Sequence, residues 1–556
     1  MSAVFALDSD PQLTPIAAPA LLTIDRLRVA LPAGGDRADA IEDLSLILHP
    51  GQTLCVVGES GSGKSVLAMT LMGLLASELT VRHGTVRLGD TLLLNQGRYA
   101  APAVLKALRG AQIGMVFQEP MTALNPVVIC GKQMDEMLRA HSRMSRDERK
   151  AAILAIFARV QLPDPERIYH SYPHQLSGGQ RQRIVIAMAV ILRPRLLICD
   201  EPTTALDVTT QREILSLIRE LQEENGCAVL FITHDMGVVA EIADDVLVMH
   251  LGAVVEQGAA AQVLRQPSQA YTRMLLDCVP DGVPRRSGDK QRGTPLLNAE
   301  AVVKNYVRRT FLGRRQTVAA LRDASLAVHY GETVGIVGES GSGKSTFARC
   351  LMRLIDPSSG VIQWGEKAVQ SLPERQLWSL RSQVQMVFQD PNRSFNPRRT
   401  VGSSIREGAM NFGLSRESAQ ELAETLMDRI RLPRESLSRY PHQFSGGQRQ
   451  RLAIARALAC KPRVLVADEA VSALDVSVQQ QILALLEEIQ RDLGLGMIFV
   501  THDLRVAARL CDRLIVMQQG AIIEQGPTAQ LFAAPQQAYT RSLLQAMPRW
   551  VTPSRA

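Results

Sequence analysis

The chain has 556 residues, 46% hydrophobic and 21% charged. This excludes a disordered chain and supplies apolar material for about two to four domains of ~150 residues. The net charge of +7, from 62 basic and 55 acidic residues, is mild over this length; it suits an anionic ligand or the cytoplasmic face of a membrane and does not argue for nucleic acid.

In chain order, Met1 to Pro19 carries Asp8 and Asp10 and lacks both the positive start and the apolar core of a secretory signal, so residues 1–21 are read as a tail. No run of about 18 apolar residues occurs, and no membrane-spanning helix is expected. Eight cysteines are scattered without a C-x-x-C pair; Cys55 and Cys199 fall inside apolar runs, which fits a reducing compartment better than a disulfide framework.

The apolar run QTLCVVG ends at Gly58 and opens Gly58-Glu59-Ser60-Gly61-Ser62-Gly63-Lys64-Ser65, followed by the helical pattern KSVLAMTLMGLL. Further on come VFQEP with Gln118, then the turn Ser177-Gly178-Gly179-Gln180 opening a helix. RLLICDEP follows, a buried strand ending in Asp200 and Glu201, and CAVLFITHD brings His234. Buried strands alternating with helices predict an α/β fold with a largely parallel core sheet. Val279 to Pro295 is rich in Pro, Gly and charge without apolar periodicity, so residues 279–296 are read as a linker.

The same unit then recurs. Gly338-Glu339-Ser340-Gly341-Ser342-Gly343-Lys344-Ser345 repeats the glycine-rich loop letter for letter, 280 positions later. Gln389, Ser445-Gly446-Gly447-Gln448, Asp468, Glu469 and His502 follow in the same order. Ser to Asp is 23 positions in both copies and Asp to His is 34. Only Lys64 to Gln118 (54 positions) and Lys344 to Gln389 (45 positions) differ, as a surface insertion would make them. Two duplicated domains are therefore expected, at 22–278 and 297–547, with a short tail at 548–556.

G-x-x-x-x-G-K-S between a strand and a helix is a phosphate loop, in which backbone N–H groups and the helix N-terminus face phosphate oxygens. Lys64 and Lys344 would reach β- and γ-phosphates, and Ser65 and Ser345 would hold Mg²⁺. Asp200 and Asp468 end strands beside the phosphate crevice and would serve Mg²⁺. Glu201 and Glu469 are placed to orient and deprotonate water. Gln118 and Gln389 would reach Mg²⁺ or that water, and His234 and His502 the γ-phosphate. The second glycine-rich helix start makes sense if it serves a nucleotide held by another domain.

In this order and twice over, these motifs resemble the ABC ATPase superfamily, over Leu22 to about Met547. The resemblance implies two tandem P-loop ABC ATPase domains, each a RecA-like core with an antiparallel β-subdomain and an α-helical subdomain carrying the signature. It also implies head-to-tail packing, with ATP and Mg²⁺ between one phosphate loop and the opposite signature. Site one would pair Lys64, Ser65, Gln118, Asp200, Glu201 and His234 with Ser445 and Gly447. Site two would pair Lys344, Ser345, Gln389, Asp468, Glu469 and His502 with Ser177 and Gly179. Gln180 and Gln448 complete the signatures, and Asp207 and Asp475 match the loops that link the sites. The family stacks adenine on an aromatic residue; Tyr306 fits that place, while the first copy offers Leu31, so the first site is expected to bind nucleotide more weakly.

Finer features resemble the peptide, nickel and glutathione importer branch, the fused glutathione-import ATPases in particular: QEPMTALNP, THDMGVVAEIADDVLVM, PSQAYTRMLL with its echo PQQAYTRSLL, and DEAVSALDVS. The branch usually has His at Ala270 and Ala538. The cysteine cluster by which some relatives hold iron–sulfur is missing, so none is expected. The resemblance implies an importer ATPase at the cytoplasmic face of a bacterial inner membrane, working with two permease subunits and a periplasmic solute-binding protein. The competing reading, a twin-cassette factor acting on the ribosome, would bring a long basic helical linker, and the linker here is short and rich in Pro and Gly.

Overall fold

The computed structural model describes residues 19–34, 37–118, 123–204, 206–284, 293–309, 315–472 and 474–548. The tail up to residue 18, residues 285–292 of the linker, the C-terminal tail beyond Pro548, residues 119–122, and Ala205 and Ala473 lie outside them.

Each half is built on a six-stranded sheet. In the first half the spatial order is Ala253–Ala259, Asp245–His250, Thr53–Val57, Ala228–Ile232, Leu196–Asp200, Ile113–Val116. Five of these strands run parallel, and the edge strand Ala253–Ala259 is antiparallel. The second half repeats the arrangement with Ala521–Pro527, Arg513–Gln518, Thr333–Val337, Gly496–Val500, Val464–Asp468 and Val384–Val387. The central strands are apolar on both faces because both faces are covered. Cys55 and Val57 point into one core with Phe157, Ile184 and Leu217, whereas Leu54 and Val56 point into another with Leu27, Leu44 and Leu67.

The second of those cores is shared with an antiparallel subdomain. Strand Leu22–Ala30 pairs with Asp39–Leu48 on one side and Thr80–Leu88 on the other. In the second half Leu297–Arg309 pairs with Arg315–Val328 and Ser359–Trp364. The extra residues between Lys64 and Gln118 lie at the sheet edge, where the first half carries a longer strand Thr80–Leu88 and the hairpin Thr91–Asn95 with Arg98–Tyr99, against Lys367–Ala368 in the second. The first core joins the sheet to a helical subdomain, helices Cys130–His141 and Arg146–Arg159 packing beside the signature helix Gly178–Val190. Val401–Asn411, Arg416–Arg429 and Gly446–Leu458 are their counterparts. Among the described residues no helix is long and apolar enough to cross a membrane.

Candidate nucleotide site

The phosphate loops follow the central strands Thr53–Val57 and Thr333–Val337, the position at which chain connections diverge to either side of the sheet and open a crevice at its carboxyl end. The loop is cut to a shape only glycine allows at its start. A Cβ on Gly58 would lie 2.1 Å from the Met249 carbonyl oxygen, and one on Gly338 2.2 Å from that of Met517. Lys64 and Lys344 are buried and curl over their own loops. Lys64 Nζ donates to the carbonyls of Gly58 at 2.7 Å and Glu59 at 2.8 Å, and Lys344 Nζ to those of Gly338 at 2.8 Å and Glu339 at 2.7 Å. Burial lowers the affinity of both ammonium groups for their protons. Backbone N–H groups, an ammonium and a helix N-terminus facing one concavity form the donor set that a polyphosphate requires.

Ser65 Oγ donates to Asp200 Oδ1 at 3.1 Å, and Ser345 Oγ to Asp468 Oδ1 at 3.1 Å. These hydroxyl–carboxylate pairs are hard oxygen donors of the kind Mg²⁺ takes, through one or two carboxylates plus waters and phosphates. Burial raises both aspartates, Asp200 to about 6.

Glu201 and Glu469 come next in each chain segment with φ of 47° and 48°, in the left-handed region. Such a backbone costs about 1–3 kcal/mol for a non-glycine residue; it turns the side chain out of the strand direction. Each backbone N–H is tied at 2.9 Å to the neighbouring strand, at Ile232 and Val500 respectively. Gln118 Nε2 donates to Glu201 Oε2 at 3.1 Å, and His234 Nδ1 lies 3.3 Å from Glu201 Oε1. In the second half Gln389 donates to Glu469 at 2.6 Å and His502 Nδ1 lies 3.6 Å from it. Burial would raise Glu201, but His234, Thr204 and Lys64 outweigh it and hold the carboxyl at about 2; Glu469 is lowered in the same way by His502 and Lys344. Both glutamates are thus ionised at neutral pH.

The halves meet through these loops. Ser60 N–H donates to Asp475 Oδ1 at 2.8 Å, and Ser340 N–H to Asp207 Oδ2 at 3.3 Å. Asp207, Ser340, Gly341, Lys344, Ser345, Gln389, Glu469 and His502 line one cavity of about 520 Å³. The structure therefore brings together the predicted groups of each phosphate site and the linking aspartate of the opposite half. Ser177 and Gly179 do not line that cavity. Ser177 and Ser445 cap their own helices, accepting from Gln180 N and Gln448 N at 3.3 Å; the two glutamine side chains return the bond to the serine N–H groups. Their connection to the opposite half is indirect. A Cβ on Gly179 would lie 3.2 Å from Thr210 Cγ2, so the signature turn abuts helix Val208–Asn225, whose N-cap is Asp207.

Tyr306 is 45% exposed and pairs in register with Val318, which lines the site-two cavity. Leu31 holds the matching place in the first half, its N–H bonded to the Ala38 carbonyl at 3.0 Å just beyond the Ala30–Asp39 pair.

Other contributors carry no glycine-rich or acidic motif. Thr204 Oγ1 donates to Glu201 Oε2 at 2.9 Å, whereas its counterpart Ser472 donates to the backbone carbonyl of Glu469 at 3.1 Å. Gln182 Nε2 donates to the Pro202 carbonyl at 2.6 Å, fastening the signature helix to the turn after Glu201. Tyr271 OH donates to Glu59 Oε2 at 3.3 Å, Ser477 of the second half also bonds the Glu59 carboxylate, and Glu339 N–H donates to Tyr539 OH at 3.0 Å. The recurrence of QAYTR in both halves was the available signal for the two tyrosines.

Fold and site together define a twin phosphate-loop hydrolase, each half completing its surroundings with an aspartate of the other. Comparison with known proteins gives the family. The ABC transporter family matches residues 41–204 and 321–472, and the oligopeptide/dipeptide transporter C-terminal region matches 255–305 and 523–556. The chain is 44% identical over 561 residues to the glutathione import ATP-binding protein GsiA of Salmonella typhimurium (strain LT2), covering 95% of this chain and 89% of that protein. It is equally 44% identical, over 562 residues and with the same coverage, to GsiA of Escherichia coli (strain K12). The chain belongs to the ABC transporter family of ATP-binding proteins and is an ATPase that uses ATP with Mg²⁺. Among solved structures it is similar to a dimeric bacterial ABC transporter cassette, at 29% identity and a TM-score of 0.38 over 42% of this chain and 98% of that one.

Proposed function

We propose that this chain is the ATP-hydrolysing subunit of a binding-protein-dependent importer for short peptides or a related small solute such as glutathione. Residues 22–278 and 297–547 are its two cassettes. It sits peripherally on the cytoplasmic face of a bacterial inner membrane, driving two permease subunits fed by a periplasmic solute-binding protein. The observation that carries this reading is the 44% identity to glutathione import ATP-binding proteins along 95% of the chain. The two matches to the oligopeptide/dipeptide transporter C-terminal region support it.

Mg²⁺ supplies charge neutralisation at the transferring phosphoryl group. Of the chain's own residues, the phosphate loops with Lys64 and Lys344 bind and orient the phosphates. Ser65, Asp200 and Gln118, with Ser345, Asp468 and Gln389, would hold the cation. Glu201 and Glu469 take a proton from water, and His234 and His502 fix the orientation of those carboxylates. Ser177, Gly179, Ser445 and Gly447 bind the opposite nucleotide once the halves close. The closed form is favoured to the extent that nucleotide binds it more tightly than the open form.

The test is reconstitution of the chain in proteoliposomes with a candidate permease pair from the same source. ATP turnover that rises with solute-loaded binding protein, together with uptake of labelled glutathione or a dipeptide, is expected. Turnover indifferent to permeases and binding protein, with co-sedimentation on ribosomes, would overturn the reading.

A further inference from the structure

The two halves repeat each other, yet beside the paired site histidines they differ at a charged position. Asp235 and Asp503 follow the site histidines His234 and His502, and all four line a single cavity between the halves. Two positions further on, the first half has Gly237 and the second has Arg505. The Arg505 guanidinium is 12% exposed and binds both aspartates. Nε and Nη2 donate to Asp503 Oδ1 and Oδ2 at 3.2 and 2.9 Å, while Nη1 and Nη2 donate to Asp235 Oδ1 and Oδ2 at 3.2 and 3.1 Å. Gly237 makes the room, since a Cβ there would lie 2.8 Å from Arg505 Nη1.

Each aspartate is also fixed to its own loop. Asp235 N–H donates to Thr233 Oγ1 and Asp503 N–H to Thr501 Oγ1, at 3.1 and 3.0 Å. Each carboxylate caps the next helix, accepting from Gly237 N and Arg505 N at 2.8 Å. An unbroken line of bonded or adjacent residues thus runs Glu201–His234–Asp235–Arg505–Asp503–His502–Glu469. One arginine suits this place. None would leave two half-buried carboxylates facing each other, and two would bring like charges together without solvent.

We propose that Arg505 is a positioning residue that couples the two ATP sites: one guanidinium holds both histidine loops, so that a displacement of either is felt at the other. The inference deepens the assignment of His234 and His502 to the nucleotide sites and rests on it. Non-identical halves can carry the group once per pair of sites, on one side of the junction, which a symmetric pair of identical cassettes cannot.

The experiment uses the full-length chain and measures ATP turnover against ATP concentration in four forms, native, Arg505→Gln, Arg505→Lys and Asp235→Asn, each with and without Lys64→Ala. In the native chain, Lys64→Ala removes about 5-fold or more of the rate, well beyond the half share of one silenced site. In Arg505→Gln the Hill coefficient falls to about 1 and Lys64→Ala removes only about half of what remains, as for independent sites. Asp235→Asn, which leaves the Arg505–Asp503 contact inside the second half, gives the same loss of coupling and serves if Arg505→Gln fails to fold. Arg505→Lys retains part of the coupling. The proposal is overturned if the native sites prove independent, or if Arg505→Gln or Asp235→Asn loses rate while Hill coefficient and non-additivity stay native. Failure of the importer reading would leave this coupling intact, because the assay contains no permease.

Discussion

Asp475 of the second cassette accepts the backbone N–H of Ser60 in the first phosphate loop at 2.8 Å. Its counterpart Asp207 divides its carboxylate, Oδ2 accepting from Ser340 N at 3.3 Å and Oδ1 from Thr210 N at 3.0 Å as a helix N-cap. Asp475 makes no such cap bond. Asp207→Ala should therefore lower stability by about 1 kcal/mol through the lost cap. Asp475→Ala should lose little stability and act chiefly on turnover. Chemical unfolding of both variants beside their ATPase rates checks this; equal destabilisation would contradict it.

Glu201→Gln together with Glu469→Gln should bind ATP and fail to turn it over, with a fall of roughly 10²–10⁴ in rate if the carboxylates act as bases. The amide keeps the size of the side chain and its bond to Gln118 or Gln389, so binding of a fluorescent ATP analogue should stay near native. Rapid hydrolysis by the double variant would show that another group takes the proton.

How much of this was legible in the sequence follows from the range of each interaction. The strands Thr53–Val57 and Leu196–Asp200 show as apolar runs because both faces of the sheet are covered, and the loops after them show as glycine and acid at fixed spacing. Ser65 and Asp200 were expected at one metal site and are 3.1 Å apart. Asp235 closes the repeated T-H-D run, but Arg505 stands 270 positions away and outside it; what distinguishes Arg505 is the absence of a partner at Gly237, which has meaning only once the halves face each other. The repeated QAYTR marks Tyr271 as notable in the sequence, but its bond to Glu59, 212 positions away, shows only in the fold.

The Asp235–Arg505 contact also sets an acid response. Burial would raise the Asp235 carboxyl, but Arg505, the Gly237 N–H and His234 together bring it from the ordinary 3.8 to about 2. A depressed carboxylate contributes stability above its ordinary value and loses that contribution as pH falls through the folded value. The stability difference between the native chain and Asp235→Asn should be of order 2 kcal/mol at neutral pH and should narrow progressively from about pH 5 down through about pH 2. Unfolding midpoints of both chains across that range test the sign; a difference that stays constant with pH would show that the carboxylate is not held ionised by Arg505.

The expected adenine contact of Tyr306 gives a prediction that distinguishes the sites. Tyr306 lies at the rim of the site-two cavity through its pair with Val318, and Leu31 holds the matching place in the first half without a ring. Stacking of a base on an aromatic ring contributes ~1–3 kcal/mol, or about 5- to 150-fold in affinity. With Lys344→Ala silencing the second site, Leu31→Phe should tighten ATP binding at the first within that range. With Lys64→Ala silencing the first, Tyr306→Ala should weaken the second by a similar factor. Equilibrium titration with a fluorescent ATP analogue measures both, and equal affinities of the two single-site chains before either ring is changed would remove the premise, since Leu31 would then be serving adenine as well as Tyr306 does.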